Sequence, residues 1–170
     1  DRIYEALTKL ETQETEYIIN LQGDEPLINS DDVINLNNLI IKNNCEFGTM
    51  ASKLKSEQDI KNQNIVKVIT EKELNKSSLV KANNFERKIE SLSAKNIYHH
   101  IGVYQFKIST LKKFVGLPQS ISEKKNKLEQ LRALDNNIEI NVVLAESQNK
   151  GIDTKEDYLA MKKIMEYNKI

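Results

Sequence analysis

The sequence has no tryptophan, one cysteine, two prolines, five glycines and a formal net charge of zero over 170 residues. A lone Cys45 excludes an internal disulfide and fits a reducing, cytoplasmic compartment. Balanced charge, 25 Lys+Arg against 25 Asp+Glu, excludes the whole-chain basic field that holds nucleic acid or an anionic membrane surface. The longest stretch without a charged side chain runs only from Asn96 to Phe106, well short of the ~20 apolar residues of a spanning helix. There is no paired-cysteine zinc motif, no Gly-x-Gly-x-x-Gly, no Gly-Lys-Ser/Thr loop and no serine in a nucleophile elbow, so covalent catalysis is not indicated. Repeats and linkers rich in Pro, Gly or Ser are absent too, and a chain of this length with 39% hydrophobic residues suits one domain, 1–170. It begins at Asp1, without Met, directly in a helical pattern; the expectation is an incomplete domain from a longer protein.

Lysine dominates the bases, 22 to 3, which makes Arg2, Arg87 and Arg132 stand out. The acids are unevenly placed: residues 1–32 carry a net charge of −7 and the remainder +7, as in a site where carboxylates hold a metal and lysines face an anionic substrate, or simply a solvated surface. Apolar periodicity predicts a helix over Ile3–Leu10, a buried strand over Tyr17–Leu21, and a helix from Ser30, as N-cap, to about Asn43. Strands follow at Phe47–Leu54 and Ile65–Thr70. A poorly patterned stretch, 71–97, holds at most a short strand at Ser78–Lys81 and reads as an excursion or dimer-contact segment. Then come a strand at Tyr98–Phe106, a short helix to Val115, a longer helix over Ile121–Asp135, a strand at Ile138–Leu144, and a closing helix at Lys155–Tyr167 with Tyr158, Met161, Ile164 and Met165 on its apolar side. This alternation predicts an α/β fold with a mainly parallel sheet flanked by helices.

Three places can carry chemistry. Asn20-Leu21-Gln22-Gly23-Asp24-Glu25-Pro26-Leu27 puts two carboxylates just after a buried strand, on a Gly-to-Pro turn at the edge where open α/β sheets bind ligands. A carboxylate there suits Mg²⁺, a hard ion that takes oxygen ligands. Gly151-Ile152-Asp153-Thr154-Lys155-Glu156-Asp157 reads on spacing alone as ordinary helix capping by Asp153 or Thr154. In Tyr98-His99-His100-Ile101-Gly102-Val103-Tyr104, strand alternation sends His100, Gly102 and Tyr104 to one face and His99 to the other. The bare Gly102 then leaves a notch between two hydrogen-bonding side chains, in a strand that is otherwise an ordinary half-buried one.

Asn20 to Ile28, His100 to Tyr104, Leu128-Glu129-Gln130-Leu131-Arg132 and Gly151 to Asp157, four motifs in order over most of the chain, resemble the 3-deoxy-D-manno-octulosonate (Kdo) cytidylyltransferases. Asp1-Arg2 is similar to the end of that family's Ser-Gly-Thr-Asp/Glu-Arg segment, which makes the chain the C-terminal two-thirds. The resemblance implies a Rossmann-like nucleotidyltransferase fold, usually a cytoplasmic homodimer, that makes CMP-Kdo and pyrophosphate from CTP and Kdo with Mg²⁺ for lipopolysaccharide synthesis. It implies that Asp24 and Asp153 are metal carboxylates and that Gln22, His100, Tyr104, Glu129 and Gln130 surround the sugar; Arg132 fits packing or an ion pair equally well.

Departures set further expectations. Val80-Lys81-Ala82-Asn83-Asn84-Phe85 stands where the family usually has Ser-Arg-Ala-x-Ile-Pro; Lys81 keeps the charge of the substrate-binding Arg but loses its bidentate fork. His99 replaces the usual Arg before the His. The loop that grips the nucleotide phosphates is not among these residues, so the chain by itself is expected not to turn over. Other readings are activation of a different acidic sugar, such as 8-amino-Kdo or a nonulosonate, and a non-catalytic remnant or partner domain. A glycosyltransferase with an Asp-x-Asp metal site is less well served, because Asp24-Glu25 lacks that spacing.

Overall fold

The computed structural model describes residues 2–10, 15–23, 28–89, 95–146 and 154–167. In chain order it contains α1 (Arg2–Lys9), β1 (Tyr17–Asn20), α2 (Ser30–Lys42), β2 (Phe47–Ser52), α3 (Glu57–Lys61), β3 (Lys67–Thr70), β4 (Val80–Glu86), β5 (Ile97–Lys107), α4 (Ile108–Val115), α5 (Ile121–Asn126), α6 (Gln130–Asp135), β6 (Asn141–Leu144) and α7 (Lys155–Tyr167). The strands form one sheet in the order β1-β5-β2-β6-β4-β3, with a further β5–β3 pairing. Because β5 meets both β2 and β3, the pairings β2–β6–β4–β3–β5 close a circuit, as in a small barrel, and β1 lies outside it.

The sheet is mixed, and the expectation that it is mainly parallel is corrected. Only β2–β6 is a parallel pair among the described residues; β5 runs antiparallel to β1, β2 and β3, and β4 runs antiparallel to β3 and β6. Hydrophobic alternation locates a strand but does not say which way it runs. The 71–97 stretch is less of an excursion than expected, since it contributes β4 to the sheet interior. Its buried Val80, Ala82 and Phe85 alternate with exposed Lys81 and Asn83, so only half of the strand advertises itself in the sequence.

Two local expectations also shift. The cap of α2 is Asn29, whose side chain accepts from the Asp31 backbone N–H, one residue before the expected Ser30. The single helix expected over Ile121–Asp135 is two short ones, because Lys127 adopts a left-handed conformation at φ 54° and ends α5. After that break Leu128 and Gln130 are buried, with Glu129 exposed between them.

Each face of the sheet has its own core. On one, Phe47, Phe106, Leu111, Phe114, Leu128 and Leu131 pack beneath α4–α6; on the other, α2 sets Leu36, Leu39 and Ile40 against Met50, Ile101 and Val103. All six residues of β2 are buried, as a strand covered on both faces requires. Gly48 is where α2 comes closest: a Cβ there would stand 2.4 Å from Ile40 Cδ1 and 2.7 Å from its Cγ1. Ile40 is wholly buried and has nowhere to retreat. Gly48→Ala should therefore cost about 1–3 kcal/mol by overpacking, seen as a lower urea midpoint at unchanged slope; an unshifted midpoint would contradict this packing. Among the described side chains of α7 only Met161 is buried, while Tyr158, Ile164 and Met165 stay exposed, so its expected apolar side is largely uncovered. No helix among the described residues is long and apolar enough to cross a membrane.

Candidate active site

On the α4–α6 side of the sheet, β5 forms the floor of a cavity of about 540 Å³. His100, Gly102, Tyr104 and Phe106 line that floor, Gln22 reaches it from the end of β1, and Leu128, Glu129 and Gln130 reach it from the start of α6. Asp59, Asn62, Asn64 to Val66, Arg87 and Thr154 also line the cavity. Thus the five residues expected around a sugar, Gln22, His100, Tyr104, Glu129 and Gln130, come from three parts of the chain to one space. The notch at Gly102 is real and Gln22 fills it: a Cβ on Gly102 would meet Gln22 Oε1 at 3.0 Å.

A β-bulge shapes the floor. Thr49 pairs with Tyr104 but the next residue, Met50, pairs with Ile101, so Gly102 and Val103 have no partners in the β2–β5 ladder. The buried Thr49 hydroxyl enters the gap, lying 2.7 Å from Val103 O, 3.3 Å from Ile101 O and 3.0 Å from His100 Nε2. His100 is boxed by Phe85, edge-on at 5.0 Å between ring centroids, and by Tyr104 at 5.4 Å. Burial, and secondarily the neighbouring His99, pushes its pKa down to about 3, so the imidazole is neutral at neutral pH. Burial, reinforced by the Glu129 charge, raises the Tyr104 phenol well above its ordinary range and keeps it a hydrogen-bonding O–H. His99, expected on the opposite face, also borders the cavity.

Two basic residues passed over by motif reading lie by the cavity: Arg87 lines it, and Lys67, outside the lining, donates to carbonyls of two residues that do line it. Lys67 on β3 is fully buried, and its ammonium donates to the carbonyls of Asn62 and Arg87. Burial, together with the adjacent Arg87 charge, lowers its pKa, partly offset by Asp59. The half-buried Arg87 donates Nε–H to Asn126 O at 3.4 Å and Nη1–H to Gln63 O at 3.3 Å, both neutral acceptors. Its rarity among 22 lysines was the signal available in the sequence. Lys81 does not join the site: it projects exposed from β4 and pairs with Glu139 at 2.5 Å. Arg132 is structural, a buried fork on Glu123.

Asp24, Glu25 and Asp153 lie outside the described residues. Among the described residues no group of three or more His, Cys, Asp or Glu gathers to hold a metal. Gln22, two residues before Asp24, and Thr154, the residue after Asp153, do border the same cavity.

A family profile described as Cytidylyltransferase matches residues 1–140. The chain belongs to the cytidylyltransferase family. A 3-deoxy-manno-octulosonate cytidylyltransferase of Thermodesulfovibrio yellowstonii is 44% identical over 168 residues, covering 92% of this chain and 65% of the relative. One from Bartonella bacilliformis is 36% identical, covering 97% and 68%. The chain thus spans about two-thirds of the length of these family members. Among solved structures, a CMP:2-keto-3-deoxy-manno-octonic acid synthetase complexed with CTP superposes with a TM-score of 0.83 at 26% identity, over 99% of this chain and 68% of that one. A UDP-glucose pyrophosphorylase complexed with UDP-glucose, at 13% identity and a TM-score of 0.68, shares the fold. The family and the nucleotidyltransferase fold expected from the four motifs are both borne out.

Proposed function

We propose that the cavity receives Kdo and that the protein transfers a cytidylyl group from CTP to it. The convergence of Gln22, His100, Tyr104, Glu129 and Gln130 on one space carries this reading. In the reaction, the sugar's anomeric hydroxyl oxygen bonds to the α-phosphorus of CTP as the bond to the β-phosphate bridging oxygen breaks. Pyrophosphate leaves, the hydroxyl proton goes to water, and the product is CMP-Kdo. Such transfers depend on positioning and charge neutralisation, in keeping with a site that offers neutral hydrogen-bonding groups on its floor and a cation on its wall. A cavity of about 540 Å³ is in the usual range for small-molecule sites.

Asp24 and Asp153 are proposed to hold Mg²⁺. The test of fit is that their chain neighbours Gln22 and Thr154 border one cavity, and carboxylate oxygens are the donors that Mg²⁺ prefers. When bound, the ion would neutralise charge on the triphosphate and the leaving pyrophosphate. The homodimer and the cytoplasmic setting implied by the resemblance belong to the same proposal.

Arg87 brings the charge that Lys81 does not deliver, and is proposed to face the sugar carboxylate. Calorimetric titration of the chain with Kdo should show binding, weakened at least tenfold by Arg87→Ala. Tighter binding of 8-amino-Kdo or of a nonulosonate in the same titrations would reassign the substrate, and no binding of any acidic sugar would overturn the reading.

A further inference from the structure

We propose that Thr49 is a positioning residue that fixes His100 as the neutral tautomer protonated at Nε2, so that the ring presents Nδ1 to the ligand as a hydrogen-bond acceptor. Counting the protons around Thr49 fixes the tautomer. Val103 O lies 2.7 Å from Thr49 Oγ1 and Ile101 O 3.3 Å. A carbonyl brings no proton, so at 2.7 Å the hydroxyl's single proton must lie between Thr49 and Val103. The Thr49 oxygen is then an acceptor toward its third neighbour, His100 Nε2 at 3.0 Å, and that nitrogen must carry the proton. Since the imidazole is neutral, Nδ1 keeps its lone pair.

The arrangement depends on the bulge. In an uninterrupted antiparallel ladder the carbonyls of β5 facing β2 would meet backbone N–H groups; here Gly102 and Val103 stand outside the pairing, and a threonine hydroxyl is drawn in to serve the carbonyls. Thr49 and His100 are both buried, so water does not compete for these bonds. Serine preserves the device, whereas valine matches threonine in shape and removes both the donor and the acceptor.

The consequence for the ligand rests on the proposed function: Nδ1 accepts from a sugar hydroxyl and cannot donate to a carboxylate, which leaves the carboxylate to the Arg87 wall. The test is nitrogen-15 NMR of histidine-labelled chain at pH 7 without ligand, followed by titration with Kdo. His100 should show a protonated Nε2 and an unprotonated Nδ1. Thr49→Ser should retain that pattern and bind Kdo within twofold of the parent. Thr49→Val should lose the single-tautomer pattern and bind Kdo about tenfold more weakly, an effect that packing alone would not produce in the nitrogen spectrum. An Nδ1-protonated ring in the parent, or an unchanged spectrum in Thr49→Val, would overturn the proposal, and the parent measurement decides even if the valine variant does not fold. The expected tautomers without any Kdo binding would uphold the role of Thr49 and reject the substrate.

Discussion

Arg132→Ala is expected to lower the unfolding free energy by about 3–5 kcal/mol, because it strips one partner from a buried ion pair and leaves the other charged and unpaired. Arg132 Nε–H donates to Glu123 Oε2 at 2.8 Å and Nη2–H to Oε1 at 2.6 Å, and both side chains are only 4% exposed. The guanidinium also lies 4.8 Å from the centroid of the Phe114 ring. Glu123 meanwhile closes the capping box of α5 with Ser120, so the pair ties α5 to α6 across the Lys127 break. Lysine should rescue little, since it lacks the fork. The Arg132 hydrogen bonds and the buried setting act in opposite directions on Glu123; the hydrogen bonds dominate and hold its carboxyl below the ordinary glutamate value of 4.5. A depressed carboxylate pKa contributes stability that is fully present above 4.5 and is lost as pH falls through the folded value. The gap between parent and variant should therefore narrow on acidification below that point. Urea titrations at neutral and acid pH measure it, and a gap that widened in acid would contradict the assignment.

The second large effect concerns catalysis. Asp24→Asn, made in the protein encoded by the complete gene, is proposed to reduce Mg²⁺-dependent pyrophosphate release from CTP and Kdo by at least a hundredfold. Asparagine keeps the size and one oxygen of aspartate but removes the charge that a hard divalent cation requires. Asp153→Asn should behave alike, and Mn²⁺ affinity measured by calorimetry should fall with activity in both. Thermal unfolding should hardly move, since Gln22 and Thr154, close to these residues in the chain, line the cavity and belong to neither core. Unchanged rates in either variant would remove that carboxylate from the metal site.

Much of the molecule was legible in the chain because the same few rules act on it as on any α/β protein. Apolar spacing located α1, α2, β2, β5 and α7 to within a few residues, since each buries at least part of one face. What escaped had little to mark it. Strand direction in β4 and β5 depends on which distant strand is met, not on local pattern. Lys127 in the left-handed region is a lysine like 21 others. Lys67 had nothing in the sequence to set it apart from the other lysines, yet its ammonium is held by two carbonyls inside the protein. In the site, Gln22, His100, Tyr104, Glu129 and Gln130 were readable because whole motifs survive around them. Arg87 and Thr49 were less so, because their importance comes from a wall and a bulge that form only after distant segments meet. Lys81 shows the reverse: its charge was evident, but β4 carries it to Glu139 and away from the cavity.

The closed circuit of pairings has a bearing on how the protein is made. On one side β2 pairs with β5, and on the other it pairs in parallel with β6, Gly48 opposite Asn141 and Ala51 opposite Leu144. Pairing across so long an intervening chain carries a large loop-closure cost and slows folding. During synthesis, β2 has left the ribosome long before Asn141–Leu144 exist. Until they do, one edge of a strand that is wholly buried in the finished fold lacks its partner, and the nascent chain must keep that edge from other strands until nearly all of the fold has been translated.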